Sequence, residues 1–217
     1  MIYPLLKRWF DAVVALIALV ALSPLFLVLC AAIKIESQGP VIFAQKRVGK
    51  NYGHFIIYKF RTMRADAPRD VPTHLLRSPG RFYTRVGKFL RRFSLDELPQ
   101  LVNIIAGDMS FVGPRPALWN QYDLAKLRDT YECTDIRPGL TGWAQVNGRD
   151  ELPLDVKARY DGEYRRKMSL AFDVKIMFMT LVKAIRADGM AIDRKMGVEN
   201  GEEQTTKHTR SPKEQRR

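Results

Sequence analysis

Two adjacent acidic residues, Asp96 and Glu97, stand in a basic part of the chain, in the segment RRFSLDELPQL at residues 91–101. Paired carboxylates among arginines could do phosphoryl chemistry, because an anionic substrate must be neutralised before an anionic nucleophile can attack it. Mg²⁺ held by carboxylates and substrate oxygens would assist such chemistry. The same stretch could be an ordinary helix start, since Ser94 and Glu97 have the spacing of a capping box. The local pattern leaves both interpretations open.

Basic residues that could accompany the two acids lie on either side of them. Arg91 and Arg92 precede the expected helix start, and a helix N-terminus itself attracts anions. Further along, the segment GPRP places Arg115 between two prolines, whose backbone is conformationally fixed. These residues would supply the positive charge that a phosphate-bearing substrate requires.

The charge of the whole chain agrees with an anionic partner. Its 217 residues include 36 lysines and arginines against 23 acidic residues, a net charge of +13. Residues 46–92 alone hold thirteen basic and two acidic residues. Such a block attracts nucleic acid, an anionic membrane surface or a phosphate-bearing substrate, although it could also be a solvated face. The only cysteines, Cys30 and Cys133, form no C-x-x-C pair, which argues against a metal site or disulfide framework and favours a reducing, cytoplasmic setting.

The N-terminal part contains an uncharged run of 22 residues, 12–33, long enough to cross a bilayer as one helix. Ser23-Pro24 lies near its middle, and proline should break or bend the helix there. Basic residues such as Lys7 and Lys34 flank both ends, and the positive-inside rule favours the cytoplasmic side for each. The pattern therefore predicts either a segment that enters and returns through one leaflet or a proline-kinked spanning helix. No small-residue cleavage site follows, which argues against a signal peptide.

The rest of the chain reads as short helices around one β-hairpin. Residues 41–63 alternate apolar and basic side chains around a glycine, which predicts the hairpin VIFAQKRV and HFIIYKFRTM. Helices are predicted for TRVGKFLRRF, from Ser94 to about Ile105, for ALWNQYDLAKLRDTYE and over residues 154–168. The segments AGDMSFVGPRPA and RPGLTGWAQVNGRD contain many turn-forming residues and are predicted to be loops. The polar tail beyond Asp188 is predicted to be disordered.

The segment SLAFDVKIMFMTLVKAIRADG predicts an amphipathic helix. Its apolar residues recur at helical spacing with lysine and arginine at the edges: Phe172, Ile176, Met179, Val182 and Ile185. A face of this kind suits a membrane interface, and it suits the core of a globular domain equally well.

Several long motifs together resemble the bacterial sugar transferase family, the small monotopic polyprenyl-phosphate phosphoglycosyl transferases. The motifs are KRWFD, the apolar run broken by SP, VIFAQKRVGK, YKFRTM, SLDELPQLVNIIAGDMSFVGPRP, RPGLTGWAQVNGR and FDVKI. They occur in the family's order over residues 5–188. The fold this resemblance implies is α+β and mostly helical, with amphipathic interfacial helices and a small β-hairpin. It also implies a re-entrant membrane helix broken at Ser23-Pro24 over residues 1–36 and a cytoplasmic catalytic domain over 37–190. The tail over 191–217 lies outside the resemblance and is predicted to be basic and disordered.

The resemblance implies an enzyme of the bacterial plasma membrane, with its catalytic domain on the cytoplasmic face. Family members transfer a sugar phosphate from a UDP-sugar to polyprenyl (undecaprenyl) phosphate and release UMP. An Asp-Glu dyad does this chemistry with Mg²⁺, and it matches Asp96 and Glu97. Asp96 would attack the β-phosphorus and carry the sugar phosphate as an aspartyl ester, which predicts ping-pong kinetics. Glu97 would help to hold the metal or to position the dyad.

Further site residues follow from the same resemblance. Lys59, Arg91 and Arg115 match the phosphate-binding residues, although Arg92 could take the place of Arg91. The loop RPGLTGWAQVNGR should lie near the nucleotide sugar, and its candidates are Arg137, Gln145, Asn147 and Arg149. Family members often form homodimers, and no nucleic acid is expected to bind. An inert, basic, membrane-anchored module that binds anionic lipid or nucleic acid is the alternative function.

Overall fold

A computed structural model describes residues 3–68, 79–148 and 152–185. The predicted α+β, mostly helical fold is confirmed. The helices and strands, in chain order, are α1 (Tyr3–Ala21), α2 (Ser23–Glu36), β1 (Ile42–Val48), β2 (His54–Phe60), α3 (Arg85–Arg92), α4 (Gln100–Ala106), β3 (Ser110–Val112), α5 (Tyr122–Thr130), β4 (Gly139–Thr141), α6 (Trp143–Val146), α7 (Leu154–Lys167) and α8 (Leu170–Ile185).

The N-terminal helix breaks where the sequence predicts. Pro24 stands in the first turn of α2, where its missing N–H costs nothing, and the Ser23 hydroxyl donates to the carbonyl of Val20 at 2.8 Å. The axes of α1 and α2 differ by 63°. No single helix within the described residues is long and apolar enough to cross a membrane. The bent pair α1–α2 is long and apolar enough when its two helices are taken together.

Most apolar side chains of the bent pair remain exposed. A few residues pack inward, among them Ala15 of α1 and Leu29 and Ile33 of α2. The exposed apolar residues of the two helices are Leu5, Leu6, Trp9, Phe10, Val13, Leu16, Ile17, Val20, Leu27, Val28 and Ile35. A surface with this much apolar area marks a contact with a membrane or another protein.

Charged and polar contacts attach α1 to the rest of the chain. Lys7 lies 2.6 Å from the buried carboxylate of Asp173 in α8, and Tyr3 donates to the same carboxylate. The buried Asp11 accepts from the Ser110 hydroxyl at 2.6 Å. Because α1 also packs along α4, its inner face belongs to the same core as the body. A domain boundary at residue 36 stays a prediction, and the tail 191–217 lies outside the described residues.

The predicted hairpin is confirmed. Strands β1 and β2 pair antiparallel with Gln45 opposite Ile57 and Phe43 opposite Lys59. Opposed residues of an antiparallel pair share a face, and side chains alternate along each strand. Lys59, Ile57 and Arg47 are therefore directed to the same side of the hairpin, which is the side where the candidate site lies.

Two segments predicted as loops each contain a short strand, so that prediction is wrong in part. Strands β3 and β4 pair in parallel, with Ser110 opposite Gly139 and Val112 opposite Thr141. A side chain at Gly139 would collide with the backbone of Gly113, so the two segments can approach only because glycine stands there. Three-residue strands carry too little alternation to be recognised in a sequence.

Helix α8 presents apolar side chains on two sides. Its predicted apolar face points inward: Ile176 is fully buried with Val112 and Tyr164, and Phe172 and Met179 pack against them. This assigns Phe172, Ile176 and Met179 of the predicted stripe to the protein core. A second row of apolar residues at helical spacing remains exposed, formed by Leu170, Val174, Phe178 and Leu181.

Candidate active site

The two acids lie in a tight turn and not in the first turn of a capped helix. Ser94 has a left-handed backbone with φ +56°, and its side chain caps nothing. A short 3₁₀ helix covers Leu95–Glu97, and α4 begins only at Gln100. The capping-box interpretation is therefore wrong: the Glu97 side chain does not return to the backbone of Ser94 but contacts other elements.

Glu97 forms the centre of a cluster of opposite charges. Its Oε1 lies 2.7 Å from the Lys59 ammonium of β2 and 3.4 Å from the guanidinium of Arg115. Burial by itself would raise the pKa of Glu97, but the charges of Lys59 and Arg115 outweigh it and lower this pKa to about 2. Glu97 is thus a carboxylate at any physiological pH, and it holds two predicted phosphate-binding residues in place.

Asp96 has a different environment. Its side chain is 7% exposed and makes no hydrogen bond or ion pair with the described residues. Burial raises the pKa of Asp96, and the neighbouring Glu97 raises it further, against the opposing charge of Lys59. A buried carboxylate without a hydrogen-bond partner is costly, which favours a ligand as its partner.

The structure distinguishes between the two neighbouring arginines. The charge of Arg91 acts on both Asp96 and Glu97, where it lowers the pKa of each. Its guanidinium lies over the ring of Tyr83, 5.2 Å from the centroid. The guanidinium of Arg92 lies instead over the ring of Phe93. Arg91 is therefore the better placed of the two to meet a ligand at the dyad.

Two arginines hold the backbone of the Pro-Arg-Pro segment. Arg128 of α5 donates to the carbonyl of Arg115 at 2.8 Å, and the buried Asp161 fixes the same guanidinium through contacts of 2.7 and 2.9 Å. Arg47 of β1 donates to the carbonyl of Pro116 at 3.1 Å. These contacts determine where the Arg115 side chain begins, so they position it towards Glu97.

A cleft opens at this cluster, with an empty volume of about 220 Å³ that includes its open mouth. Binding sites for whole small molecules usually measure roughly 300–1,000 Å³, so the cleft suits a phosphate-sized part of a ligand. Its lining consists of Arg47, Ile57, Lys59, Glu97, Gln100, Arg115, Pro116 and Gly139.

Sequence reasoning missed Arg47 and Gln100. The hairpin register could have indicated Arg47, because it shares a face with Lys59. Gln100 could have been found from its place three residues after Glu97, one helical turn along the chain.

The described candidates of the predicted nucleotide loop, Arg137, Gln145 and Asn147, do not line this cleft. Arg137 donates to the carbonyl of Gly107 at 2.8 Å, Gln145 to that of Leu140 and Asn147 to that of Trp143. Arg149 lies outside the described residues. Among the loop residues that the structure describes, only Gly139 lines the cleft. Nucleotide binding by these four residues stays a prediction.

The two acids could hold a divalent cation only together with a ligand. Within residues 3–68, 79–148 and 152–185 no group of three or more His, Cys, Asp or Glu side chains comes together. Mg²⁺ commonly uses one or two protein carboxylates and completes its shell with water and substrate phosphate oxygens. The unpartnered Asp96 and the second oxygen of Glu97 fit that requirement.

A buried, unpartnered carboxylate beside a cationic cleft is suited to an enzyme that acts on a phosphate-bearing substrate. The chain matches the bacterial sugar transferase family over residues 2–187 and belongs to it.

Named relatives agree with this membership. The chain is 41% identical over 186 residues to the UDP-glucose:undecaprenyl-phosphate glucose-1-phosphate transferase of Escherichia coli (strain K12), a match that covers 82% of this chain and 40% of that protein. It is 40% identical to the UDP-N-acetylgalactosamine-undecaprenyl-phosphate N-acetylgalactosaminephosphotransferase of Aeromonas hydrophila, over 83% of this chain and 44% of that protein. A relative of similar length is the uncharacterized sugar transferase EpsL of Bacillus subtilis (strain 168), 37% identical over 86% of this chain and 90% of that protein.

Proposed function

We propose that this chain transfers a sugar 1-phosphate from a UDP-sugar to undecaprenyl phosphate and releases UMP. The observation that carries the proposal is the contrast within the dyad. Asp96 is buried without a partner, while Glu97 is held by Lys59 and Arg115 in a cationic cleft. The names of the relatives supply the substrate classes, since they join UDP-sugars to undecaprenyl phosphate.

The reaction would proceed in two displacements at phosphorus. An oxygen of Asp96 attacks the β-phosphorus of the UDP-sugar, a bond forms between them, and the bond from that phosphorus to the UMP oxygen breaks. Undecaprenyl phosphate then attacks the same phosphorus through one of its oxygens and displaces Asp96. The product is undecaprenyl diphosphosugar, and the carboxylate is regenerated. Two successive displacements let a soluble and a lipid substrate use one site in turn.

The cationic residues would make both displacements possible. Lys59, Arg91 and Arg115 neutralise the phosphoryl oxygens and so reduce their repulsion of the Asp96 carboxylate. Glu97 keeps Lys59 and Arg115 in place before a substrate arrives. Asp96 and Glu97 would also hold Mg²⁺, which when bound supplies further neutralisation of the phosphoryl charge.

The test is UMP release by purified protein in nanodiscs with Mg²⁺, undecaprenyl phosphate and a panel of UDP-sugars. The panel includes UDP-glucose, UDP-galactose, UDP-N-acetylhexosamines and diacetylated UDP-bacillosamine. We expect UMP from one donor and none with Asp96→Asn. Without acceptor, the wild-type protein should gain the mass of one sugar phosphate, and a peptide that contains Asp96 should carry it. Normal turnover by Asp96→Asn would overturn the mechanism. The absence of UMP from every donor would favour the membrane-anchored binding module.

We also propose that the bent pair α1–α2 enters and leaves the plasma membrane on the cytoplasmic side, and that the reaction is the first membrane step in making a polysaccharide or glycoprotein glycan. Both ends of the pair contact the same body: Lys7 binds Asp173, while Glu36 accepts from the backbone N–H groups of Arg85 and Val86. Both ends therefore belong on one side of the bilayer. The exposed apolar row on α8 would lie along the membrane surface.

Cysteine labelling tests this topology. A cysteine placed at Ile2 should resist an impermeant maleimide in intact cells and react once the cells are permeabilised. Equal labelling in both conditions would show that the N-terminus is outside and that the pair spans the membrane.

A further inference from the structure

Gln100, the first residue of α4, has an unusual position for a polar side chain. It is only 2% exposed, and its amide nitrogen is buried and has no hydrogen-bond partner. It makes no side-chain hydrogen bond within the described residues, and it lines the cleft together with Lys59, Glu97 and Arg115. A buried amide that lacks its hydrogen bonds lowers the stability of the folded chain.

Asn103, one turn further along the same helix, shows what a structural amide looks like. It is equally buried, but its nitrogen donates to the carbonyl of Ile56 at 2.7 Å and its oxygen accepts from the backbone of Tyr58 at 3.1 Å. Those bonds connect α4 to β2. Gln100 connects nothing, so packing of α4 does not account for a glutamine at this position. A buried polar group with no partner calls for another explanation, such as a ligand.

The surroundings of Gln100 identify the kind of acceptor. Three cationic side chains, those of Arg47, Lys59 and Arg115, line the cleft against the single carboxylate of Glu97. The excess positive charge selects an anionic ligand, whose oxygens accept hydrogen bonds. The amide N–H group would donate to such an oxygen without adding charge.

We propose that the Gln100 side-chain amide donates a hydrogen bond to a non-bridging oxygen of the phosphoryl group that is transferred. The inference rests on the proposed function and makes it more specific. Gln100 lines the cleft together with Glu97, the neighbour of Asp96 in the chain, so we assign its contact to the phosphoryl group that Asp96 would attack. Its contact is therefore with the β-phosphoryl group and not with the α-phosphoryl group that leaves in UMP.

Comparison of UDP and UMP as ligands tests this assignment, because only UDP carries a β-phosphoryl group. The full chain in detergent with Mg²⁺ is titrated with each nucleotide by calorimetry, as wild type and as Gln100→Met. Methionine has a similar length but cannot donate. A hydrogen bond to a charged oxygen predicts an affinity for UDP that is weaker by about tenfold or more, with no change for UMP. The melting temperature should stay the same or rise, because the unpaired amide is gone.

A matched control is Gln38→Met, the same substitution at an exposed glutamine. It should leave both affinities unchanged. If Gln100→Met does not fold, Gln100→Glu replaces it: a carboxylate there should repel UDP more than UMP.

Three results would overturn the inference: unchanged affinity for UDP, an equal loss for UDP and UMP, or a lower melting temperature with both ligands lost. Failure of the proposed function is recognised separately, since wild-type protein would then release no UMP from any donor. If the wild-type protein turns over and Gln100→Met binds UDP normally, the inference about Gln100 is refuted and the proposed function stands.

Discussion

Two aspartates near Arg115, Asp96 and Asp161, are both buried. Asp161 is 2% exposed and binds the guanidinium of Arg128, which in turn holds the carbonyl of Arg115. Asp96 is 7% exposed and has no hydrogen-bond or ion-pair partner among the described residues, while its neighbour Glu97 holds the side chain of Arg115. Burial raises the pKa of both aspartates, yet only Asp161 has a cation that compensates for it by direct contact.

This difference suits Asp161 to a structural role and Asp96 to a chemical one. A buried charge with matched hydrogen bonds stabilises one arrangement of the chain and offers nothing to a ligand. A buried charge without them lowers stability and is retained where a ligand completes it. The same substitution, aspartate to asparagine, should therefore have opposite effects at the two positions.

The largest effect is expected from Asp96→Asn on the reaction. Loss of the nucleophile should reduce UMP release by about 10³-fold or more. Because the lost charge is buried and unpartnered, the melting temperature should stay the same or increase. Steady-state UMP release and thermal unfolding of the same preparation measure both quantities. A variant that unfolds at lower temperature would show that Asp96 has a structural partner.

Asp161→Asn should show the reverse. It leaves the buried Arg128 without its counter-charge, which costs about 3–5 kcal/mol of folding stability. Denaturant unfolding measures this loss. The double variant Arg128→Met, Asp161→Leu removes both charges and should recover most of the stability. A single variant as stable as wild type would mean that the pair is not buried in solution.

Arg115→Met should weaken the reaction but not the fold. The side chain of Arg115 is 44% exposed, so loss of its ion pair with Glu97 should change the free energy of unfolding by no more than about 1 kcal/mol. The loss of one placed cation should lower kcat/KM for UMP release by about 10²-fold. Arg115→Lys retains the charge and should recover part of this activity. Equal loss of stability and activity would assign Arg115 to the fold.

The smallest effect concerns Cys133, which lies next to the ion pair of Arg128 and Asp161. Its thiol is buried and donates to the carbonyl of Arg128, and burial raises its pKa to about 12. We expect no alkylation of Cys133 by iodoacetamide at pH 8 in the folded protein and rapid alkylation after denaturation. Peptide mass spectrometry follows this residue separately from Cys30. Fast modification of the folded chain would show that the surroundings of Arg128 open to solvent.

Patterns among residues that are close in sequence were sufficient to predict several helices and the β-hairpin. Proline chemistry located the break between α1 and α2, alternation located the hairpin, and helical spacing located α3 and α8. Each of these signals depends on residues that are neighbours along the chain, so a single sequence contains the whole pattern. The adjacent acids and the Pro-Arg-Pro segment could be singled out as chemical candidates for the same reason.

Only the tertiary structure decided what each candidate residue contacts. Ser94 and Glu97 have the spacing of a capping box, but the left-handed backbone of Ser94 turns the glutamate towards Lys59 and Arg115. The parallel pair β3–β4 joins segments that are separated in sequence by more than twenty residues, and it carries no local signature. Burial of Asp96, Asp161 and Gln100 likewise depends on distant elements that close over them. The sequence by itself determined which chemical groups were available. Long-range packing decided which of their side chains have no partner in the protein and can therefore contact a ligand.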